Sequence, residues 1–177
     1  MNRITRLLRH RWFDEDDARR ALGPAALARI ETRVRASETH HSGEIRVCIE
    51  AGLPLGYLWR DLTARQRAVT LFGKLRVWDT EQNNGVLIYL LLAEHRIEIV
   101  ADRGIDRVVD ATRWQAIVAG MSTAFRERRF EDGLNAAIDA VDALLRAHFA
   151  LAEGADNRNE LPDAGAAVAS RNVARPA

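Results

Sequence analysis

The stretch from Val77 to Ile105 constrains the fold more than any other part of the chain, because it predicts two strands joined by a tight turn. Val86 to Leu92 is an unbroken apolar run rich in branched side chains, which is typical of a strand covered on both faces. Residues 94–96 form a polar break of hairpin length. Ile97 to Ala101 then alternates as a second strand. The pattern therefore predicts an antiparallel hairpin inside a sheet.

Helices and one further strand surround this hairpin. Alternation predicts a strand over Glu44 to Glu50, and the helix that separates it from the hairpin makes the two strands parallel. Apolar residues at three- and four-residue spacing predict helices over Pro24–Thr39, Leu58–Leu75, Thr112–Arg126 and Phe130–Phe149. We expect a three-layer α/β/α sandwich with a central mixed sheet of about four strands, the fourth being a short one near residues 107–109.

The chain divides into one domain and two flanking segments. Its 177 residues suffice for a single domain with a proper core, which we place at residues 23–150. Residues 1–22 form a basic N-terminal segment with a helical pattern. Residues 151–177 are rich in Gly, Ala, Asn and Asp and have no apolar periodicity, so they predict a disordered or loosely packed tail.

Composition argues against several classes of protein. The 26 basic and 25 acidic residues leave a net charge of +1, which does not indicate nucleic-acid binding. The single cysteine, Cys48, excludes an internal disulfide and predicts a buried structural thiol. No apolar run reaches the roughly 20 residues of a transmembrane helix, and no secretory signal is recognisable. The expected location is therefore the cytoplasm.

The N-terminal segment from Met1 to Trp12 has two interpretations. Ile4, Leu8 and Trp12 fall near helical spacing among several arginines. Such a helix can lie on an anionic membrane surface, which would make the protein peripheral to the membrane. The favoured interpretation is a helix packed on the domain or a partly ordered terminus.

Polar side chains gather where the predicted strands begin and end. Acidic and amide residues precede the first hairpin strand and follow the second, and the parallel strand starts at the same end of the sheet. Carboxylate and amide oxygens suit Ca²⁺ or Mg²⁺, whereas a histidine would admit Zn²⁺ or Mn²⁺. The predicted ligands of a divalent cation are His41, Glu44, Asp79, Glu81, Asn84 and Asp102, with Asn83 and Arg103 beside them.

Two functions and one purely structural role remain open for these residues. They can form a binding or accessory module that holds a divalent cation or a protein partner. They can form a metal-assisted phosphatase, in which Asp102 is the nucleophile or base and Arg103 binds the phosphate. Asp79 and Asn84 can also be plain turn and capping residues. The sequence has no G-x-x-x-x-G-K-[ST], H-E-x-x-H or G-x-S-x-G motif.

Four segments in this order resemble the TPM domain over about Gly23 to Phe149: S-G-E-I-R-V-C-I-E, W-D-T-E-Q-N-N-G-V-L-I-Y-L-L-L, R-I-E-I-V-A-D-R-G-I and F-R-E-R-R-F-E-D-G-L-N-A-A-I-D-A-V. This module is shared by a thylakoid lumen phosphatase-like protein, a photosystem-II repair protein and an animal receptor-associated membrane protein. The chain is most similar to a small bacterial branch. The resemblance implies an α/β/α sandwich. Some members are described as acid phosphatases and some bind calcium or another divalent ion, so it also implies these functions.

Overall fold

A mixed sheet lies between two layers of helices in the computed structural model, which describes residues 3–12, 22–151 and 166–169. The strands are β1 (Ile45–Glu50), β2 (Val86–Leu91), β3 (Arg96–Ala101) and β4 (Ala166–Ala169). The helices are α1 (Arg3–Trp12), α2 (Pro24–Glu38), α3 (Leu55–Trp59), α4 (Ala64–Lys74), α5 (Arg103–Asp106), α6 (Ala111–Arg126) and α7 (Phe130–Phe149). The predicted α/β/α sandwich is confirmed.

Strand pairing follows the predicted directions. β1 runs parallel to β2, starting at the pair Ile45 and Val86. β2 and β3 form the antiparallel hairpin, in which Val86 lies opposite Ala101. A short 3₁₀ turn, Leu92–Glu94, and the left-handed residue His95 (φ 50°) connect the hairpin strands. The starts of β1 and β2 and the end of β3 therefore meet at one end of the sheet.

The number of strands differs from the expectation. Residues 22–151 contribute three strands, because residues 107–109 form a turn after α5 in which Val108 and Val109 both donate to the Ile105 carbonyl at 3.1 Å. The fourth strand is β4, which pairs in parallel with the outer edge of β1 and gives the order β3-β2-β1-β4. The prediction of a disordered or loosely packed tail did not include this strand. The rest of that tail lies outside the described residues.

The core has two halves, one on each face of the sheet. On one face, Ile45, Val47 and Ile49 of β1 pack against α2, α6 and α7. On the other face, Cys48 and residues of β2 pack against α3 and α4. Burial raises the pKa of the Cys48 thiol to about 12, as expected of a structural cysteine. None of the helices in the described ranges is long and apolar enough to cross a bilayer.

One predicted helix is in fact two. The helix expected over Leu58–Leu75 is interrupted between α3 and α4, where Asp61 has a φ of 55°. Thr63 begins α4 with a capping box: the Gln66 N–H donates to Thr63 Oγ1 at 3.2 Å, and the Thr63 N–H donates to Gln66 Oε1 at 2.8 Å. These reciprocal bonds satisfy the free N–H groups of a helix start, so a new helix is favoured there.

Candidate functional site

Three chain segments converge at the end of the sheet where β1 and β2 begin and β3 finishes. We call residues 42–44, 83–85 and 102–104 the strand-end site. The Val86 N–H donates to the Glu44 carbonyl at 2.8 Å, and the Asp102 N–H donates to the Gly85 carbonyl at 2.8 Å. Continued one residue beyond the strands, the register therefore aligns Glu44, Gly85 and Asp102 in a row across the sheet.

A backbone carbonyl covers the centre of this row. Side chains at neighbouring positions of adjacent strands point to the same face of a sheet. A Cβ added to Gly85 on that face would lie 1.8 Å from the Val77 carbonyl oxygen. Only glycine permits this approach. The Val77 oxygen therefore lies over Gly85, between the positions that carry the Glu44 and Asp102 carboxylates.

Asp102 has one carboxylate oxygen that is not hydrogen bonded. Its side chain caps α5 through Oδ1, which accepts the Arg103 N–H at 2.7 Å. Oδ2 is buried and has no hydrogen-bond partner among the described residues, and the residue as a whole is only 7% exposed. An unsatisfied buried oxygen is costly, by about 1–3 kcal/mol or more when it belongs to a charged group. Asp102 Oδ2 is thus an acceptor that a donor or a cation would satisfy.

A second unsatisfied oxygen lies on the loop before β2. The fully buried Asn84 donates from Nδ2 to Ser42 Oγ at 3.0 Å, and Ser42 Oγ donates to Gln82 Oε1 at 3.0 Å. The Asn84 N–H donates to Thr80 Oγ1 at 3.0 Å. Within the described part of the chain, Asn84 Oδ1 has no hydrogen-bond donor. The asparagine therefore ties the start of β1 to the start of β2 and retains one free acceptor.

The same loop also holds the end of β3. Asn83 has a left-handed φ of 53°, and its carbonyl accepts the Gly104 N–H at 2.7 Å. A Cβ on Gly104 would lie 2.2 Å from the Gln82 carbonyl oxygen, so the loop and the start of α5 are in direct backbone contact. Arg103 is exposed, and its Nη2 donates to Asn83 Oδ1 at 3.2 Å.

Two carboxyl groups share a hydrogen bond beside this site. Burial is the main reason that the pKa of Glu38 is raised to about 7. The hydrogen bond from the Ile45 N–H and the charge of Arg46 lower this pKa, whereas the charge of Glu44 and its hydrogen bond raise it. Glu38 Oε1 accepts that Ile45 N–H at 3.0 Å. Because a negative charge on Glu44 disfavours a second one on Glu38, the two acids do not both ionise readily. Glu38 is therefore the group that keeps the proton near neutral pH.

This arrangement predicts a specific pH dependence of stability. Because the pKa of Glu38 is higher in the folded than in the unfolded chain, its contribution is complete below pH 4.5 and disappears as pH rises through about 7. Glu38→Gln copies the protonated form. Relative to wild type, its free energy of unfolding should increase by about 1–3 kcal/mol between pH 5 and pH 8. Urea unfolding of both proteins at the two pH values measures this, and parallel pH profiles would refute it.

His41 lies in a different cluster from the predicted cation ligands. Its Nε2 is 3.0 Å from Ser37 Oγ, and Ser37 Oγ donates to Asp142 Oδ1 at 2.8 Å. Because the serine proton is given to Asp142, His41 Nε2–H must donate to the serine. Burial lowers the pKa of His41, against the opposing charge of Asp142. The order of donation is the reverse of a hydrolytic triad, and the cluster instead joins α2 to α7.

The structure brings together only part of the predicted ligand set. Asp102, Glu44 and Asn84 lie at the strand-end site, with Asn83 and Arg103 beside them. Asp79 is exposed, and its Oδ2 lies 4.0 Å from Arg76 Nη1. Glu81 is exposed on the turn before β2. Among the described residues, no three His, Cys, Asp or Glu side chains form a group that could hold a metal ion. Any cation here must therefore use amide or backbone oxygens as well.

Two groups beside the strand-end site, the Val77 carbonyl and the Glu38 carboxyl, could not be predicted from the sequence pattern. The Val77 carbonyl carries no side-chain signal, and only the close approach to Gly85 reveals it. Glu38 reaches Glu44 from the end of α2, which requires knowing how that helix ends against β1. By contrast, the turn before β2 is predictable from the sequence, because Asn83, Asn84 and Gly85 precede an apolar run.

The comparisons with known proteins give one family and two similar solved structures. Residues 16–144 match the family model of the TPM domain. The BA42 protein of the psychrophilic bacterium Bizionia argentinensis is 28% identical, with a TM-score of 0.69, and the match covers 80% of this chain and 92% of that one. The N-terminal domain of a P. gingivalis protein shares the fold, at 23% identity and a TM-score of 0.57, over 72% of this chain and 78% of that one. No curated protein matches the chain.

Proposed function

Since the chain belongs to the TPM domain family, we propose that it is a binding or accessory module whose strand-end site holds a divalent cation. The observation that carries this proposal is the buried Asp102 Oδ2, which lacks a hydrogen-bond partner among the described residues. A cation would satisfy this oxygen and offset the negative charge of the neighbouring Glu44. The cation would stiffen the junction of β1, β2 and β3 and so prepare this end of the sheet for a protein partner.

The donor set favours a hard cation. Asp102 would be the principal ligand, and Glu44, Asn84 Oδ1 and the Val77 carbonyl would supply further oxygens. Ca²⁺ accepts mixed carboxylate, amide and backbone oxygens, while Mg²⁺ keeps more of its waters. Both suit this set better than Zn²⁺ or Mn²⁺, because His41 is engaged with Ser37 on α2. We therefore rank Ca²⁺ first and Mg²⁺ second.

A thermal melt of metal-stripped protein tests this proposal. A ligand that binds only the folded state raises stability by about 2.7 kcal/mol at a hundredfold excess over its dissociation constant. We expect a saturable rise in Tm with Ca²⁺, a smaller one with Mg²⁺, and loss of both rises in Asp102→Asn. Asparagine can still cap α5, so the variant should remain folded.

Asp79→Asn is the matched control for this experiment. It removes one carboxylate from the loop before β2, but this side chain is 51% exposed and lies outside the strand-end site. It should keep the full cation response. Equal loss of response in both variants, or no response of the wild type to any of Ca²⁺, Mg²⁺, Mn²⁺ and Zn²⁺, would contradict the proposed site.

An acid phosphatase activity is the second candidate. Its support is Arg103, which is exposed beside Asp102 and can offer its guanidinium to a phosphate. The bound cation would polarise the phosphoryl oxygen or activate water. Cation-loaded protein should then hydrolyse p-nitrophenyl phosphate, and both Asp102→Asn and Arg103→Ala should lose that turnover. Cation binding without turnover would leave the binding module as the function.

The place of action is also part of the proposal. We propose that the module works in the cytoplasm and touches the membrane surface peripherally through its basic N-terminal helix. α1 contains four arginines and no acidic residue, which favours attraction to anionic lipid. The near-neutral charge of the whole chain gives no support to a nucleic-acid partner.

A further inference from the structure

Five large apolar side chains are exposed on two neighbouring helices. Ile4, Leu8 and Trp12 of α1 are 65%, 54% and 81% exposed, and Leu55 and Trp59 of α3 are 67% and 72% exposed. α1 and α3 contact each other. We call these five residues the apolar stripe. A surface helix normally turns its apolar face inward, so an outward stripe of this size indicates a binding surface.

The opposite side of α1 explains why this stripe faces outward. Arg6 Nε donates to Glu94 Oε1 at 2.7 Å, and Arg6 Nη2 donates to the Leu62 carbonyl at 2.7 Å. His10 is buried, with Nε2 2.9 Å from Glu94 Oε1, and its Nδ1 accepts the Leu53 N–H at 3.0 Å. These contacts fix the rotation of α1 about its axis.

Helix geometry then aligns the stripe. Residues four apart lie on one face of a helix, so Ile4, Leu8 and Trp12 form one line along α1. Leu55 and Trp59 form a second line along α3. The side chains of both lines are exposed while the helices that carry them contact each other. Tryptophans at an apolar edge are typical of side chains that sit at the boundary between lipid headgroups and acyl chains.

We propose that the apolar stripe inserts into the surface of an anionic phospholipid bilayer. This inference rests on the peripheral membrane contact proposed above and names its surface and its lipid class. Arg60 is exposed next to Trp59, and α1 carries no acidic residue. The neighbouring carboxylate of Asp61 is already paired with Arg6 Nη1 at 2.9 Å, so Arg60 is left to complement lipid phosphates at the rim of the stripe. A second copy of the chain would instead bring the two Arg60 side chains towards each other, and it would offer them no phosphate.

The acidic residues that follow α1 in the sequence weaken the electrostatic attraction of this segment to anionic lipid. Asp14, Glu15, Asp16 and Asp17 follow Trp12 closely in the sequence. They reduce the net positive charge of the N-terminal segment. We therefore expect the apolar side chains to supply most of the binding, and the arginines to supply its preference for anionic over neutral lipid.

Vesicle sedimentation tests the inference on the full chain. The wild type should sediment with vesicles of equal parts phosphatidylcholine and phosphatidylglycerol, and much less with phosphatidylcholine alone. The double variant Trp12→Ser, Trp59→Ser should bind the anionic vesicles at least about tenfold more weakly, since it removes the two largest inserting side chains. Trp78→Ser is the control, because Trp78 is 48% exposed but lies in the turn after α4.

Three results would overturn the membrane inference. All variants are compared only after urea unfolding shows them folded. No sedimentation of the wild type, or equal binding by the double variant, would overturn the inference, as would self-association that the double variant abolishes in place of vesicle binding. Repeating the assay with EDTA separates this surface from the cation site: vesicle binding should persist in EDTA, whereas failure of the cation proposal appears in the Tm response to cations and not in vesicle binding.

Discussion

Replacing Arg67 with alanine should lower the free energy of unfolding by about 3–5 kcal/mol, because it leaves Glu50 buried without its partner charge. The Arg67 and Glu50 side chains are 6% and 2% exposed, and Arg67 Nη2 lies 2.5 Å from Glu50 Oε1. Tyr89 also donates to Glu50 Oε2 at 2.7 Å. The ion pair lies on β1 and α4, so its loss weakens the contact between the sheet and the helix layer above it.

The pKa shifts agree with a strongly coupled pair. Burial alone would lower the pKa of Arg67, but the hydrogen bonds and charge of Glu50 outweigh it, and the pKa is raised. Burial, and then Glu50, raise the pKa of Tyr89, so the phenol stays protonated and keeps donating. The arginine also lies over the Tyr57 ring, with Cζ 5.1 Å from the ring centroid.

Two controls separate this effect from general damage. Asp139→Ala removes the partner of Arg33 in an ion pair whose side chains are 44% and 55% exposed, and it should cost no more than about 1 kcal/mol. Replacing Arg67 by Met and Glu50 by Leu together should cost less than Arg67→Ala, since no unpaired charge remains. Urea unfolding of the three proteins gives these energies. A cost of Arg67→Ala as small as that of Asp139→Ala would contradict the prediction.

Gly85→Ala should be the second large effect, with a loss of about 3 kcal/mol, at the upper end of the usual cost of overpacking. The new methyl group would be placed 1.8 Å from the Val77 carbonyl oxygen and 2.9 Å from its carbon. These are backbone atoms, and Val77 is itself fully buried. The turn between α4 and β2 must therefore move as a unit to accept the alanine.

Gly120→Ala makes the matched control for this substitution. Gly120 is exposed inside α6, and a Cβ there meets nothing within 4 Å. Alanine should stabilise this helix by about 0.5–1 kcal/mol, since glycine is the poorer helix former. Thermal melts should move in opposite directions for the two variants. A Gly85→Ala protein as stable as the wild type would show that the carbonyl does not cover this strand end.

Much of the sheet could be predicted, because apolar runs and apolar–polar alternation in the sequence identify its strands. The apolar run from Val86 and the turn residues before it define the start of β2, and parallel pairing with β1 brings Glu44 to the same end. The interruption at Thr63 was also readable, since T-A-R-Q has the spacing of a capping box. The apolar periodicity that continues from Leu58 to Leu75 nevertheless predicts one unbroken helix.

Other features depend on contacts that no local pattern encodes. Residues 107–109 contain two valines but become a turn, because α5 begins directly after Asp102 and leaves no room for a strand. His41 follows the end of α2, and its Nε2 lies 3.5 Å from Asp142 Oδ1 of α7 rather than near the acidic residues before β2. Of the six residues predicted from spacing to bind a cation, only Glu44, Asn84 and Asp102 therefore lie together at the strand-end site.

A backbone amide titration by NMR tests the central claim most directly. Isotope-labelled, metal-stripped protein would be titrated with Ca²⁺ while the chemical shift of each amide is followed. We expect saturable shifts concentrated at residues 42–44, 83–85 and 102–104, and their loss in Asp102→Asn but not in Asp79→Asn. Saturable shifts centred on the Asp79 turn, or no saturable shift at any residue, would contradict a cation site at the strand ends.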